Sequence, residues 1–301
     1  MPTSAEPTPP PPPPPEEELV QEEARRALAE DVGEGDLSAA LVPPQRRARA
    51  RLLLREEAVL CGIPWFEAVF RLLDPGVRLR WRHAEGERVA AGSVLCELEG
   101  PARALLTGER TALNFLQTLS GTATLARRYA EAVAGTGATV LDTRKTVPGL
   151  RLAQKYAVRV GGCQNHRLGL HDAILVKENH LLATGSLEAA CREALALGAE
   201  LGVPVEVEVE DLGQLRTALA AGVRRVLLDN FGLEALREAV ALARALPGGP
   251  VELEASGGID LGNVRRVAET GVDYVSVGAL TKDVRAVDLS LRFLPSGDAP
   301  G

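Results

Sequence analysis

From Gly137 to Ala279 short apolar segments alternate with amphipathic ones, and no other feature of this chain limits its fold so strongly. Six segments read as strands: ATVLDTRK, HDAILVKEN, VPVEVEVED, VRRVLLDNF, PVELEASGG and VDYVSVGA. Between the later ones lie SLEAACREALALGAE, DLGQLRTALAAG, GLEALREAVALARAL and LGNVRRVAETG, each patterned as a helix. Strands alternating with helices make a parallel sheet. Its strands are covered on both faces and should be apolar throughout. These strands instead end in polar groups: Asp142, Arg144 and Lys145; Lys177, Glu178 and Asn179; Glu208, Glu210 and Asp211; Asp229 and Asn230; Glu254, Ser256 and two glycines; Ser276 and Gly278. Polar carboxyl ends mark the active face of an α/β barrel, or the crevice of an open doubly wound sheet. Six ends aiming different charges at one centre favour the barrel. The region is far shorter than the roughly 250 residues of a full eight-stranded barrel, so an incomplete one of about six strands is expected.

Side-chain alternation says what faces inward. In VEVEVE, Val205, Val207 and Val209 share one face and Glu206, Glu208 and Glu210 the other. In VELEAS the same alternation groups Glu252, Glu254 and Ser256; Leu175 pairs with Lys177, and Leu227 with Asp229. The valines should meet the helices, leaving the carboxylates inside. A buried carboxylate costs several kcal/mol unless paired or metal-bound. Lys177 can satisfy one. The rest suggest Mg²⁺, a hydroxyl-rich ligand, or interior salt bridges. Ser256, Gly257 and Gly258, followed by a helix from about Leu261, form a backbone-donor loop suited to phosphate, and Gly278 with Ala279 repeats the device on the next strand.

The cations cluster. The only lysines are Lys145, Lys155, Lys177 and Lys282, and the only histidines His83, His166, His171 and His180; three of each fall between Leu141 and Leu181. A net charge of −7 excludes general nucleic-acid electrostatics and makes a cationic window more telling. The window is read as a grip for an anionic small molecule. Cys61, Cys96, Cys163 and Cys191 are scattered, without CxxC or zinc spacing, and read as buried thiols of a reduced compartment, the cytoplasm. No apolar run is long enough to span a membrane. The first residues lack the basic and apolar regions of a secretory signal. No Ser-His-Asp set, catalytic cysteine or dinucleotide fingerprint competes.

The remainder divides into four parts. Residues 1–16 are a proline-rich tail, with prolines at every position from Pro9 to Pro15. Residues 17–120 read as an α+β sandwich: a helix from Glu16, a strand from Arg47 to Glu56, a helix from Gly62 to Leu73, and strands at Val77–His83 and Val94–Gly100. Thr107–Val133 is expected to be helical, starting near Thr107 and kinked or split at Gly121, with Arg110 and Asn114 on one face. Residues 121–281 are the barrel, and 282–301 a C-terminal segment.

Taken together, ERTALNFLQTLSGTAT, LDTRKTVPGLR, KYAVRVGGCQNHRLGLHDAILVKENH, VEVEVEDL, LLDNF, EASGGI and GVDYVSVGALT resemble the quinolinate phosphoribosyltransferase family, in order, over about residues 17–294. The resemblance implies that quinolinate and phosphoribosyl pyrophosphate give nicotinate mononucleotide, CO₂ and pyrophosphate, with Mg²⁺. It assigns Arg110, Thr143, Arg144, Lys145, His166, Arg167 and Lys177 to the quinolinate carboxylates and phosphates. Glu208 and Asp229 go to the ribose hydroxyls and Mg²⁺, directly or not, and Ser256, Gly257, Gly258, Gly278 and Ala279 to phosphate. Lys145, Lys177, Glu208 and Asp229 are the implied catalytic set. It further implies a homodimer or a hexamer of dimers in which Arg110 reaches the neighbouring subunit, and a C-terminal segment that completes the N-terminal domain. Two rival readings are a paralogue of the same fold with another substrate and a non-catalytic module that binds phosphoribosyl ligands.

Overall fold

A computed structural model describes residues 11–177 and 185–295. The expected strand-end residues Glu178 and Asn179, together with His180, lie outside that range, as do the first ten residues of the tail and the last six of the chain. In chain order the elements are α1 (Glu17–Val32), β1 (Arg47–Leu54), β2 (Ala58–Val59), α2 (Ile63–Leu73), β3 (Arg78–Trp81), β4 (Arg88–Val89), β5 (Val94–Pro101) and α3 (Ala102–Ala132). They continue with β6 (Thr139–Leu141), α4 (Arg151–Val160), β7 (Ile174–Val176), α5 (Leu187–Leu201), β8 (Val205–Val209), α6 (Leu212–Ala220) and β9 (Arg225–Asp229). The last are α7 (Leu233–Arg244), β10 (Glu252–Ser256), α8 (Val264–Ala268), β11 (Tyr274–Ser276), α9 (Ala279–Lys282) and β12 (Leu289–Phe293).

The chain divides into two compact units: one of residues 1–127, 152–161 and 284–301, the other of 128–151 and 162–283. In the first, a four-stranded sheet runs β12-β1-β5-β3 with antiparallel pairing. Its core holds Trp65, Phe66 and Phe70 of α2, all fully buried. Trp65 Nε1 donates to buried Glu23 Oε2 of α1 at 2.7 Å, which satisfies the indole where apolar packing could not.

The long helix departs from the sequence expectation. α3 is one unbroken helix of 31 residues that begins five residues before Thr107. Thr107 does not cap it; its hydroxyl donates to Asp36 Oδ2 at 2.9 Å. Gly121 does not interrupt it either. A Cβ there would collide with the carbonyl oxygen of Arg285, so the glycine lets another backbone segment lie against the helix.

In the second unit six parallel strands run β6-β11-β10-β9-β8-β7. The first strand in sequence pairs with the last, while β6 and β7 do not pair with each other. This is the incomplete barrel that the strand count predicts. On the edge of β6 away from β11, Gln164 forms a bridge with Leu141 through hydrogen bonds to Val140 O and from Asp142 N. Val207, Val209, Leu228, Leu253 and Val275 are wholly buried. Each such side chain contributes about 1.5–3 kcal/mol of burial. Two helices are capped by their own sequence: Ser186 accepts from Ala189 N at 3.2 Å, and Asp211 from Gln214 N at 2.8 Å. No helix of the described residues is long and apolar enough to cross a membrane.

Candidate active site

A cavity of about 270 Å³ opens at the carboxyl ends of the parallel strands, lined by residues of the second unit alone. Nine of the residues assigned from the sequence line it: Thr143, Arg144, Lys145, His166, Arg167, Lys177, Glu208, Asp229 and Ser256. Leu175, Leu227, Glu254 and Ser276 complete the lining. Leu175 and Leu227 sit two residues before Lys177 and Asp229, so strand periodicity turns them to the same face and supplies an apolar floor.

The cations come from three places. Arg144 and Lys145 follow β6, His166 and Arg167 precede β7, and Lys177 directly follows β7. Backbone bonds fix the two loops that carry the first four. Lys145 N donates to Thr143 Oγ1 at 3.1 Å, and its carbonyl accepts from buried Thr281 Oγ1 at 2.8 Å. A Cβ on Gly278 would stand 3.1 Å from Lys145 Cδ, so that glycine seats the lysine. Buried Asp142 organises the other loop, accepting from Asn165 Nδ2 at 2.7 Å and from His166 N at 2.9 Å. Arg144 Nε is buried without a hydrogen-bond partner. Burial, followed by the charge of Arg144, holds the Arg167 guanidinium below its ordinary pKa. Crowded and underpaired cations of this kind invite an anion.

The carboxylates divide by depth. Glu208 Oε2 takes Lys177 Nζ at 2.5 Å. Asp229 accepts from Asn230 Nδ2 at 2.7 Å. Asn230 is the one non-glycine residue at positive φ among the described residues, at 57°, where asparagine is tolerated. A Cβ on Gly257, itself at φ 96°, would overlap the Asn230 side chain, so the Ser256–Gly258 loop and the end of β9 fit only through that glycine. Below them lie Glu206 and Glu254, with side-chain exposures of 5% and 0%. The inward carboxylates are thus partly settled by salt bridges: Arg225 Nε reaches Glu206 Oε1 at 3.2 Å and His166 Nε2 reaches Glu206 Oε2 at 2.9 Å. Glu254 is less well served. Its partners are loose, with His166 Nε2 at 3.5 Å, Arg225 Nη2 at 3.6 Å and the Ser276 hydroxyl beside it, and burial, then the charge of Glu206, lifts its carboxyl to about 7.

His166, Glu206 and Glu254 hold ligand atoms within 4.8 Å of one another, the spacing of a metal site. The hydrogen bonds argue against one. Arg167 N donates to His166 Nδ1 at 2.7 Å, which leaves the ring proton on Nε2, the nitrogen that faces the carboxylates. Burial works to lower the pKa of the ring, and the Glu206 hydrogen bond with the charges of Glu254 and Glu206 outweighs it and raises it, but the Arg167 amide proton occupies the place of a second ring proton. Arg225 already supplies the cation that faces these carboxylates. Glu208 and Asp229 suit Mg²⁺ better, since it takes one or two carboxylates together with substrate phosphates.

Several expected residues lie elsewhere. Asp211 caps α6, and Glu210 N donates to Gln214 Oε1 at 2.9 Å, so that strand end serves the helix as well as the cavity face. Arg110 is exposed on α3 in the first unit. Gly258, Gly278 and Ala279 are not lining residues, and Gly257 borders a smaller cavity of about 170 Å³ between β9, β10, α7 and α8. The sequence reading missed Arg225. It stands two residues before Leu227 on the same face, so the alternation that found Asp229 also marks it.

Residues 36–120 match the model of the quinolinate phosphoribosyl transferase N-terminal domain, and residues 122–292 that of its C-terminal domain. The chain is 44% identical over 274 residues to nicotinate-nucleotide pyrophosphorylase [carboxylating] of Mycobacterium leprae, covering 89% of this chain and 94% of that one. It is 41% identical over 268 residues to a probable nicotinate-nucleotide pyrophosphorylase [carboxylating] of Synechocystis, covering 89% and 90%. The structure of the Francisella tularensis nicotinate-nucleotide pyrophosphorylase superposes with a TM-score of 0.87 at 43% identity, covering 93% and 97%. Human nicotinic acid phosphoribosyltransferase, at 16% identity and a TM-score of 0.62, shares the fold alone. Two family models spanning nearly the whole chain, and relatives above 40% identity, place it by descent: this chain belongs to the quinolinate phosphoribosyl transferase family.

Proposed function

We propose that the cavity binds quinolinate and phosphoribosyl pyrophosphate and converts them to nicotinate mononucleotide, CO₂ and pyrophosphate, a step of NAD biosynthesis. The observation that carries this is one cavity wall bearing Arg144, Lys145, His166, Arg167 and Lys177, with Glu208 and Asp229 on the remaining strands. A planar dicarboxylate suits the cations, and Leu175 and Leu227 suit its ring. Glu208 and Asp229 suit the ribose hydroxyls. The Ser256–Gly258 loop suits a phosphate group.

In the reaction the pyridine nitrogen attacks the anomeric carbon as its bond to pyrophosphate breaks, and the electron pair leaves with pyrophosphate. The ring nitrogen is then cationic. When the C2 carboxylate departs as CO₂, the bonding pair stays at C2, stabilised by that nitrogen, and C2 takes a proton. Catalysis is therefore positioning and electrostatics. Arg144, Lys145 and Arg167 hold the carboxylates against the apolar floor. Lys177, paired to Glu208, sets that carboxylate toward the ribose. Glu208 and Asp229 would hold Mg²⁺, which when bound neutralises the charge of the pyrophosphate leaving group.

We also propose a dimer in which Arg110 serves the neighbouring site. In its support, Arg110 is exposed one turn after exposed Leu106, and Leu37 and Leu41 are 88% and 87% exposed on a segment tied to α3 by Arg103 and Thr107. Four buried free thiols suit a cytoplasmic place of work. Pyrophosphate release with phosphoribosyl pyrophosphate tests the proposal. Release with quinolinate and not with nicotinate supports it; release with nicotinate only refutes it. Saturable binding without release would favour the non-catalytic module.

A further inference from the structure

We infer that Arg225 is a positioning residue for the dicarboxylate, acting from beneath the cavity through Glu206 and His166 on Arg167. The inference rests on the functional reading above for its substrate and on geometry for its mechanism. Arg225 opens β9 and does not line the cavity. Its guanidinium is shared among three carboxylates: Glu206 at 3.2 Å, Glu252 at 3.5 Å and Glu254 at 3.6 Å. It also lies over the Tyr274 ring, 4.8 Å from the centroid, which fixes the plane of the fork. Lysine could not reach three acceptors in that geometry.

From Arg225 the contacts lead in one direction. Glu206 spends one oxygen on Arg225 Nε and the other on His166 Nε2, at 2.9 Å. His166 is then held at three atoms: Nε2 by Glu206, the main-chain N by Asp142 Oδ1, and Nδ1 by the amide of Arg167 at 2.7 Å. That last bond sets the backbone from which the Arg167 side chain enters the cavity, where Nη1 donates to Ala173 O at 3.3 Å. Without Arg225, Glu206 and Glu254 would be two buried carboxylates sharing one imidazole. His166 would then have a competing acceptor, Glu254 Oε2, already 3.5 Å away. A ring that turns toward Glu254 gives up the Arg167 amide. A small movement at the floor thus becomes a misplaced cation on the wall.

Steady-state kinetics on Arg225→Met, Arg225→Lys, His166→Ala and the Arg225→Met/His166→Ala double variant test this. Arg225→Met should raise KM for quinolinate about tenfold and leave KM for phosphoribosyl pyrophosphate within about twofold. In the double variant the Arg225 change should add less than about twofold to the effect of His166→Ala, because its route is already cut. Equal losses in both KM values, or effects that multiply in the double variant, overturn the inference. If Arg225→Met does not fold, Arg225→Lys keeps the charge and loses the fork; about a threefold rise in KM for quinolinate supports the inference, and an unchanged KM overturns it. Quinolinate turnover by the unaltered protein tests the functional reading separately. The ¹⁵N spectrum of the His166 imidazole tests the geometry with no substrate at all: one Nε2–H form in the unaltered protein, and a mixture in Arg225→Lys. An unchanged spectrum overturns the inference.

Discussion

Glu254→Gln should stabilise the protein at alkaline pH and leave it nearly unchanged at acid pH. Glu254 is wholly buried, is only loosely partnered, and has a carboxyl lifted to about 7 by burial and by the charge of Glu206. An unfolded glutamate releases its proton near 4.5. Between those values the unfolded chain binds fewer protons at this site than the folded one, so stability falls as pH rises through the window. The difference of about 2.5 pH units corresponds to roughly 3 kcal/mol, complete by pH 8. Glutamine keeps the shape and does not titrate. Urea unfolding followed by far-ultraviolet circular dichroism, with variant and unaltered protein compared at pH 5 and pH 8, cancels the groups remote from Glu254 and reads this carboxyl together with its charge-linked neighbours Glu206 and His166. The variant's advantage should grow by a few kcal/mol between the two values. A difference that is flat with pH, or a variant less stable at pH 8, refutes the reasoning.

Other outcomes follow from the same geometry. Lys145→Ala and Arg167→Ala should each abolish quinolinate binding in isothermal titration while circular dichroism stays unchanged; wild-type affinity in either removes that residue from the site. Gly257→Ala should lower turnover by about tenfold or more, because its Cβ overlaps Asn230 and the residue sits at positive φ, a strain of about 1–3 kcal/mol. Removing divalent cations with a chelator should stop pyrophosphate release, and added Mg²⁺ should restore it. Turnover that persists in the chelator argues against Mg²⁺ at Glu208 and Asp229.

The barrel was legible because its strands obey period two and its helices period 3.6, so Val207 and Val209 face out to the helices and Glu206 and Glu208 face in. The cationic wall was legible because lysine is rare in this chain and concentrated there. What sequence could not supply was partnership across strands. Nothing in VRRVLLDNF says that Arg225 meets Glu206, or that His166 turns its Nε2 to the floor, because those pairings depend on register and on the loop after α4. The same limit explains Gly121. Its collision partner, Arg285, is far away in sequence, so local propensity suggested a kink where tertiary packing required a gap. Asp211 has the position of a strand-end acid and is a helix cap, because in a turn as short as the one between β8 and α6 the residue that follows the strand also starts the helix.

The central claim is that one cavity joins a pyridine dicarboxylate to a phosphoribosyl group and then removes the carboxylate next to the ring nitrogen. Supplying quinolinate labelled with ¹³C in the C2 carboxyl, together with phosphoribosyl pyrophosphate and Mg²⁺, tests it most directly. The account predicts labelled CO₂ and pyrophosphate in equal amounts, with no label left in the nucleotide. Pyrophosphate without labelled CO₂, or label retained in the nucleotide, would contradict it.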